Sequence, residues 1–199
     1  MYDESQDRVA MLEQELAAER QAREALVETS VKLNSLLNLP ELLNAIMDAA
    51  SRLLDAETSS LMLLDETADE LTFAVATGEP GESVKELRIP AQQGIAGWVI
   101  QHDELVVVDD VTSDQRFYSN ADQQSGFTTR SILAVPLKIR DKSIGVVEVI
   151  NKRNDAAFSD RDRDIATALA SLAAVAIDNA HLYQRLADAL VDSRMSYRF

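Results

Sequence analysis

The 199 residues include no cysteine. That absence removes disulfide frameworks, thiolate nucleophiles, thiolate-bound zinc and thioether-attached chromophores together. Glycine and proline are scarce, at six and four, and 46% of residues are hydrophobic. The chain therefore has material for one packed core and little reason to stay disordered. Basic residues are outnumbered, 19 Lys and Arg against 34 Asp and Glu, for a formal charge of -15. A phosphate track on nucleic acid needs clustered cations that displace condensed counterions, so no nucleic-acid partner is expected, and an anionic membrane surface is disfavoured for the same reason. Apolar runs are short: the longest, 165–177, falls below the ~18 residues of a membrane span, and "MYDESQDRVA" has neither the basic nor the apolar region of a signal peptide. The expectation is a cytoplasmic chain with no membrane partner, one domain of ordinary size with helical ends.

Two stretches at the ends have helical period. Val9, Leu12, Leu16, Leu26, Leu33 and Leu37 form a heptad seam over 1–37, interrupted at Glu19 and Arg23. From Ser159 the chain reads as helix almost to its end, with Ile165, Leu169, Leu172, Ala176, Asn179, Tyr183, Leu186 and Leu190 on a second seam that overruns the domain. "NLPELLNAIMDAASRLLDAE" predicts a helix with Pro40 in its first turn and Leu42, Leu43, Ile46, Met47, Ala50, Leu53 and Leu54 on an apolar face laid against a sheet.

Between these lie strand signals. "TSSLMLLDET" and "ELTFAVATGEP" are joined in hairpin fashion, "VKELRIPAQQG" follows, and "RSILAVPLKIRDKSIGVVEVINK" is a β-hairpin around residues 140–142. "QGIAGWVIQHDE" predicts a short helix after Gly94, "LVVVDDVTSD" a strand running into an acidic loop, and 116–127 an irregular stretch with one helical turn. The sheet has about six strands.

The stretch "GVVEVINKRNDAAFSDRDRD" ends a strand in Lys152 and starts a helix whose first turn is acidic. Ser159 with Asp162 three residues on resembles a capping box, and Asp160 and Asp162 lie near the positive end of the helix dipole. A Lys152 ammonium leaving the strand can pair with Asp162 while Phe158 buries its ring between the two elements, a clamp between strand and helix.

Asn151-Lys152, then Phe158, then Asp162 resembles the Asn-Lys…Phe-x-x-x-Asp-Glu signature of GAF domains, with Arg163 standing where the signature has Glu. "GIAGWVIQHDELVVVDDV" and the last hairpin are similar to the family's middle helix and final strands, in family order. The resemblance implies an α+β fold, a GAF/PAS-like six-stranded antiparallel sheet with helices packed on one face and a small-molecule pocket on the other. It also implies long N- and C-terminal helices forming a dimer bundle, parallel in the family and left open here. The expected divisions are a signalling helix over 1–37, the GAF domain over 38–183 with its last helix starting near 159, and a helix extension over 184–199.

On the family pattern the pocket is roofed by 116–127, and its ligand-binding candidates are Ile89, Trp98, Phe117, Phe127, Thr128, Arg130 and Glu148. Glu148 interrupts an apolar run, where an unpaired buried carboxylate is costly; it can accept hydrogen bonds from a ligand amide or amine, or alternation can turn it to water. Arg130 suits a carboxylate or phosphate fork, or a surface ion pair. Trp98, Phe117 and Phe127 can stack on a planar ligand or simply fill core. Asn151, Lys152, Phe158 and Asp162 form the structural clamp. Asp109, Asp110 and Asp114 lack the alternation and closing Glu of a calcium loop and read as loop-capping carboxylates. His102 and His181 make no pair by spacing, so no metal site is expected and haem would have only His102.

No phosphate-binding loop, nucleophile elbow, zinc-protease helix or kinase signature is present. The expectation is a non-catalytic sensory and regulatory domain, in signalling of the bacterial type. It would bind an unidentified small molecule, a cyclic nucleotide being admitted though not favoured, and signal to an effector protein through a homodimer of paired helices. The alternative is a ligand-free dimerisation and docking module for a partner kinase, cyclase or transcription factor. Sulfoxide reduction, known in some GAF proteins, uses the Cys that is missing. No effector domain is recognisable, so output would lie in a partner or in a further part of the chain.

Overall fold

The computed structural model describes residues 11, 12, 14, 16, 17, 38–78 and 81–196, and the side chains of the last helix as far as Ala189. The seam expected over 1–37 thus lies almost wholly outside the described residues; within it Met11, Leu12 and Leu16 are helical and exposed. Leu39–Asn179 forms one compact unit.

Helix α1, Leu39–Leu53, holds Pro40 in its first turn, where a missing N–H costs nothing, and buries Leu43, Ile46, Met47 and Ala50 at helical spacing. Leu54, just past its end, is fully buried, whereas Leu53, expected on the same face, is 61% exposed. Consecutive residues point about 100° apart, so only one of this pair can meet the sheet.

Six strands follow the expected runs: β1 (Ala56–Asp65), β2 (Glu70–Ala76), β3 (Arg88–Pro90), β4 (Val106–Val108), β5 (Ile132–Ile139) and β6 (Lys142–Lys152). They pair antiparallel throughout, in the order β3-β2-β1-β6-β5-β4. "VKELRIPAQQG" is mostly not strand. A short helix α2, Gly81–Val84, precedes it, and only three residues pair, as an edge strand that tolerates Pro90 because no neighbour needs its N–H. The remaining helices are α3 (Gly94–His102), α4 (Asn120–Ser125) and α5 (Asp160–Ser196).

Strand alternation divides the side chains between two faces. Leu61, Leu133, Val135, Leu137, Val147 and Val149 pack under α1 and α5. The residues of α5 on that face are Ala166, Ala170, Ala173, Ala174 and Ile177, small side chains that bring the helix close to the sheet. The seam read from sequence is out of phase with this row: Ile165, Leu169 and Ala176 are only partly buried, and Leu172 is 53% exposed. The stretch Asp160–Ala189 is long and apolar enough to cross a membrane by length and composition, yet its alanine row is buried on the sheet. Close approach also governs Gly145, where a Cβ would lie 2.1 Å from the Met62 carbonyl oxygen.

Met62, Leu71, Ile89, Val106, Val108, Ile132 and Val146 face the other way and meet Ile95, Ala96 and Val99 of α3. Helices therefore lie on both faces rather than one. The second face differs in holding a cavity between the sheet, α3 and α4.

Candidate functional site

The cavity, about 80 Å3, is floored by β1, β2 and β6 and roofed by α4 with the residues around it. That is well above the ~10–15 Å3 a single water needs. Apolar side chains make most of the wall, among them Met62, Phe73, Ile89, Ile95, Phe117, Tyr118, Phe127 and Ile132. Polar groups enter at Thr58, Ser60, Gln93, Asp122, Ser125, Thr129 and Glu148. No Lys, Arg or His lines it among the described residues.

Glu148 is fixed by register. It lies on β6 opposite Ser60 of β1 and Ala134 of β5, and the small Ala134 leaves room beside it. It is only 9% exposed, so alternation has turned it into the cavity and not to water. Burial, with Asp122 nearby, pushes its carboxyl from the ordinary range up to about 7. The Ser60 hydroxyl is also buried, at 4% exposure, and its Oγ has no hydrogen-bond partner. Two cross-strand neighbours thus present unsatisfied polar atoms to one space.

The roof is tied down by Asp122 of α4, whose carboxylate accepts from the Thr129 backbone N–H at 2.8 Å and the Thr129 hydroxyl at 2.7 Å. Gly126, at φ 73°, turns the chain from α4 toward β5. On the opposite wall the first turn of α3 begins at Gly94, also left-handed at φ 77°, and Gln93 contributes no side-chain cap. Gln93, Gly94, Ile95 and Ala96, at the start of that helix, all line the cavity.

Of the seven ligand candidates, Ile89, Phe117, Phe127 and Glu148 line the cavity and Trp98, Thr128 and Arg130 do not. Trp98 stacks on His102, with ring centroids 4.1 Å apart, and has the Arg116 guanidinium 4.8 Å from its centroid. Asp114 holds that guanidinium with hydrogen bonds at 3.0 and 2.6 Å, and in return has its own carboxyl lowered. Thr128 is exposed, while the next residue, Thr129, faces in. Arg130 pairs with Glu57 at 2.7 Å on the surface. Asp110 caps a 3-10 turn, accepting from the Thr112 N–H at 2.9 Å, and no metal-binding cluster occurs among the described residues. Ser60, Asp122 and Thr129 were not singled out from sequence. Ser60 carried one usable signal, a hydroxyl in the apolar run "TSSLMLL" that a β1–β6 register would place beside Glu148.

At the exit of β6, Asn151 is fully buried in the left-handed region at φ 59°. Its side-chain oxygen accepts from the Arg130 and Ser131 N–H groups at 2.6 and 3.2 Å. Its amide donates to the Thr128 carbonyl and to Glu57, both at 2.8 Å. The short polar side chain suits a conformation other residues avoid. Lys152 Nζ then lies 2.9 Å from both Asp162 oxygens and 2.8 Å from the Leu54 carbonyl. Asp162 also accepts from the Ser159 N–H and hydroxyl, each at 2.8 Å, the reciprocal capping box. Burial alone would raise the Asp162 carboxyl; the Ser159 N–H, Lys152 and the Ser159 hydroxyl outweigh it and hold it low. Phe158 is buried beside Lys152, whose Nζ is 5.8 Å from the ring centroid. The clamp joins β6, α5 and the end of α1.

A six-stranded antiparallel sheet with two covering helices on one face and a roofed cavity on the other defines an α+β domain. Residues 38–177 match the GAF domain family, and the chain belongs to it. It is 29% identical over 185 residues to "Probable 3',5'-cyclic phosphodiesterase pde-5" of Caenorhabditis elegans, a match covering 88% of this chain and 25% of that protein. The chain thus spans about a quarter of that relative's length. Among solved structures, the GAF domain of an Acinetobacter phosphoenolpyruvate-protein phosphotransferase superimposes with a TM-score of 0.64 at 24% identity, covering 76% of this chain and 91% of that one. A type II free methionine-R-sulfoxide reductase from Thermoplasma acidophilum has a TM-score of 0.56 at 20% identity, covering 71% and 96%. These two show a shared fold.

Proposed function

We propose that this chain is a non-catalytic, cytoplasmic regulatory module. It takes a small molecule into the cavity on the β6 face and passes occupancy to an effector protein through a homodimer of its terminal helices. The observation that carries the reading is the cavity itself. A docking module that binds nothing would fill this space with its own side chains, as the opposite face does, and would have no reason to aim Ser60 and Glu148 into it. The fold is also that of an enzyme, but the sulfoxide chemistry of such proteins runs through cysteine, which these 199 residues lack.

Pairing of the helices is supported by α5. Leu172, Val175, Leu182 and Leu186 are 53, 58, 48 and 51% exposed, and with Asn179 they follow a strict 3-4 spacing along α5. Leu172, Asn179 and Leu186 share one heptad position. In a parallel, in-register pair Asn179 meets its own copy and the two amides satisfy each other. The parallel arrangement is the one proposed. Native mass spectrometry of freshly purified protein tests both parts. A dimer carrying a defined extra mass is expected; a monomer across micromolar concentrations overturns the helix pairing, and a dimer that takes up nothing from a metabolite extract overturns the sensor in favour of the docking module.

A further inference from the structure

The polar atoms of the cavity are arranged by sign. Glu148 makes no hydrogen bond to any described residue, and the Ser60 Oγ beside it across the β1–β6 pair is likewise unpartnered although both residues are more than nine-tenths buried. Asp122, from the roof, is satisfied only by the neutral Thr129 N–H and hydroxyl. Two carboxyl groups therefore line one cavity, and none of the lining residues is a cation. Like charges in one cavity repel, and a positive group bound there would relieve both. Phe73, Phe117, Phe127 and Tyr118 complete the wall with aromatic surface of the kind that attracts organic cations. An anionic ligand would have to bring its charge toward both carboxyls without a side-chain cation to meet it.

We propose that the cavity's ligand is a small organic cation, of the amine or amidine class, with an apolar or planar body. Its N–H groups donate to Glu148 and to the Ser60 Oγ, Asp122 supplies further negative charge, and the body lies against the aromatic wall. This inference rests on the small-molecule reading above and narrows it: a cyclic nucleotide, whose charge is a phosphate, is the wrong sign for the two carboxyls.

Glu148 also gives the site a pH dependence. The titratable groups facing it are Asp122 from α4 and Tyr118 from the segment before it; β1, β2, β3, β5, α2 and α3 contribute none to the described lining. With its carboxyl held at about 7, Glu148 is mostly protonated at pH 6 and mostly ionised at pH 8. Affinity for a permanently charged cation should rise about tenfold between those values.

The test uses benzamidine, benzamide and benzoate, which share one planar frame and differ in charge, with cyclic GMP as the nucleotide probe. Isothermal titration of the full chain is run at pH 6 and pH 8. The expected result is saturable binding of benzamidine, about tenfold tighter at pH 8, with benzamide weaker and benzoate and cyclic GMP weaker still. Glu148→Gln should weaken benzamidine at least tenfold at pH 8 and flatten its pH dependence, and Ser60→Ala should weaken it less; cooperative melting of both variants shows that they fold. Benzoate or cyclic GMP binding as tightly as benzamidine, benzamidine binding unaffected by Glu148→Gln, or no binding by any of the four would each overturn the cationic class. A passenger of another class found in native mass spectra would then leave the sensor reading standing, so the two failures are distinguishable.

Discussion

Replacing Glu148 by Gln should make the protein more stable at pH 8, although it alters the best-buried polar residue of the cavity. In the folded chain the carboxyl is raised from an ordinary 4.5 to about 7 by burial and by Asp122. The unfolded chain gives up this proton near pH 4.5 and the folded chain keeps it until about pH 7. Between those values the folded state binds more protons, so stability falls as pH rises, and above pH 7 the full penalty of a buried, unpaired carboxylate is present. A separation of about 2.5 pH units at about 1.4 kcal/mol each makes this penalty about 3 kcal/mol. Glutamine has nearly the same shape and no charge, so it removes the penalty while adding a contribution that does not change with pH. Urea denaturation of both proteins at pH 5, 6, 7 and 8 reads the difference. The variant should gain on wild type by about 2.5 kcal/mol between pH 5 and pH 8, with most of the change between 5 and 7. A difference that stays constant across the range would refute the reasoning, because it would mean that Glu148 ionises in the folded chain as it does in water.

Two further predictions concern the exit from β6. Lys152→Met leaves Asp162 buried without its ammonium and should cost about 3 kcal/mol, within the range for breaking a buried pair; the double change Lys152→Met with Asp162→Asn should recover part of the loss, and strictly additive costs in chemical denaturation would remove the pair from the account. Asn151→Ala loses four hydrogen bonds and keeps a left-handed backbone, so it should cost about 3 kcal/mol, with Asn151→Gly milder by about 1 kcal/mol because glycine accepts that conformation; equal melting points for the two variants would show that the backbone angle carries no cost.

Element identity was legible because each element repeats its own period. The hairpin strands are short apolar, β-branched-rich runs bounded by turn residues, α1 places Leu43, Ile46, Met47 and Ala50 at helical spacing, and Ser159 with Asp162 announces the start of α5. Lys152, Phe158 and Asp162 were readable as a unit because their clamp is local, a strand end and a helix start separated by one short turn, whereas the partners of Asn151, at Glu57, Thr128, Arg130 and Ser131, lie 20 to 94 positions away. Cavity residues were harder. Thr128 and Thr129 are equivalent by composition, and only the chain's entry into β5 decides which points inward. Trp98 has the chemistry of a ligand platform, but its ring is taken up by His102, one turn along α3, and by Arg116, which the loop before α4 brings up.

By itself the sequence determined the chemical limits and the local units: no thiol chemistry, a strongly acidic surface, two hairpins, a capped terminal helix and the clamp that starts it. Those follow from residue types and short spacings, which do not depend on what lies across the fold. Tertiary structure alone decided what Glu148 is. Its alternation was plain from "GVVEVINK", but alternation only separates two faces. Whether the second face meets water or a roof depends on α3, α4 and the residues between, drawn from 23 to 54 positions earlier in the chain. The pairing of β1 with β6 then set Ser60 beside Glu148 across 88 positions of sequence, and no local period records that contact.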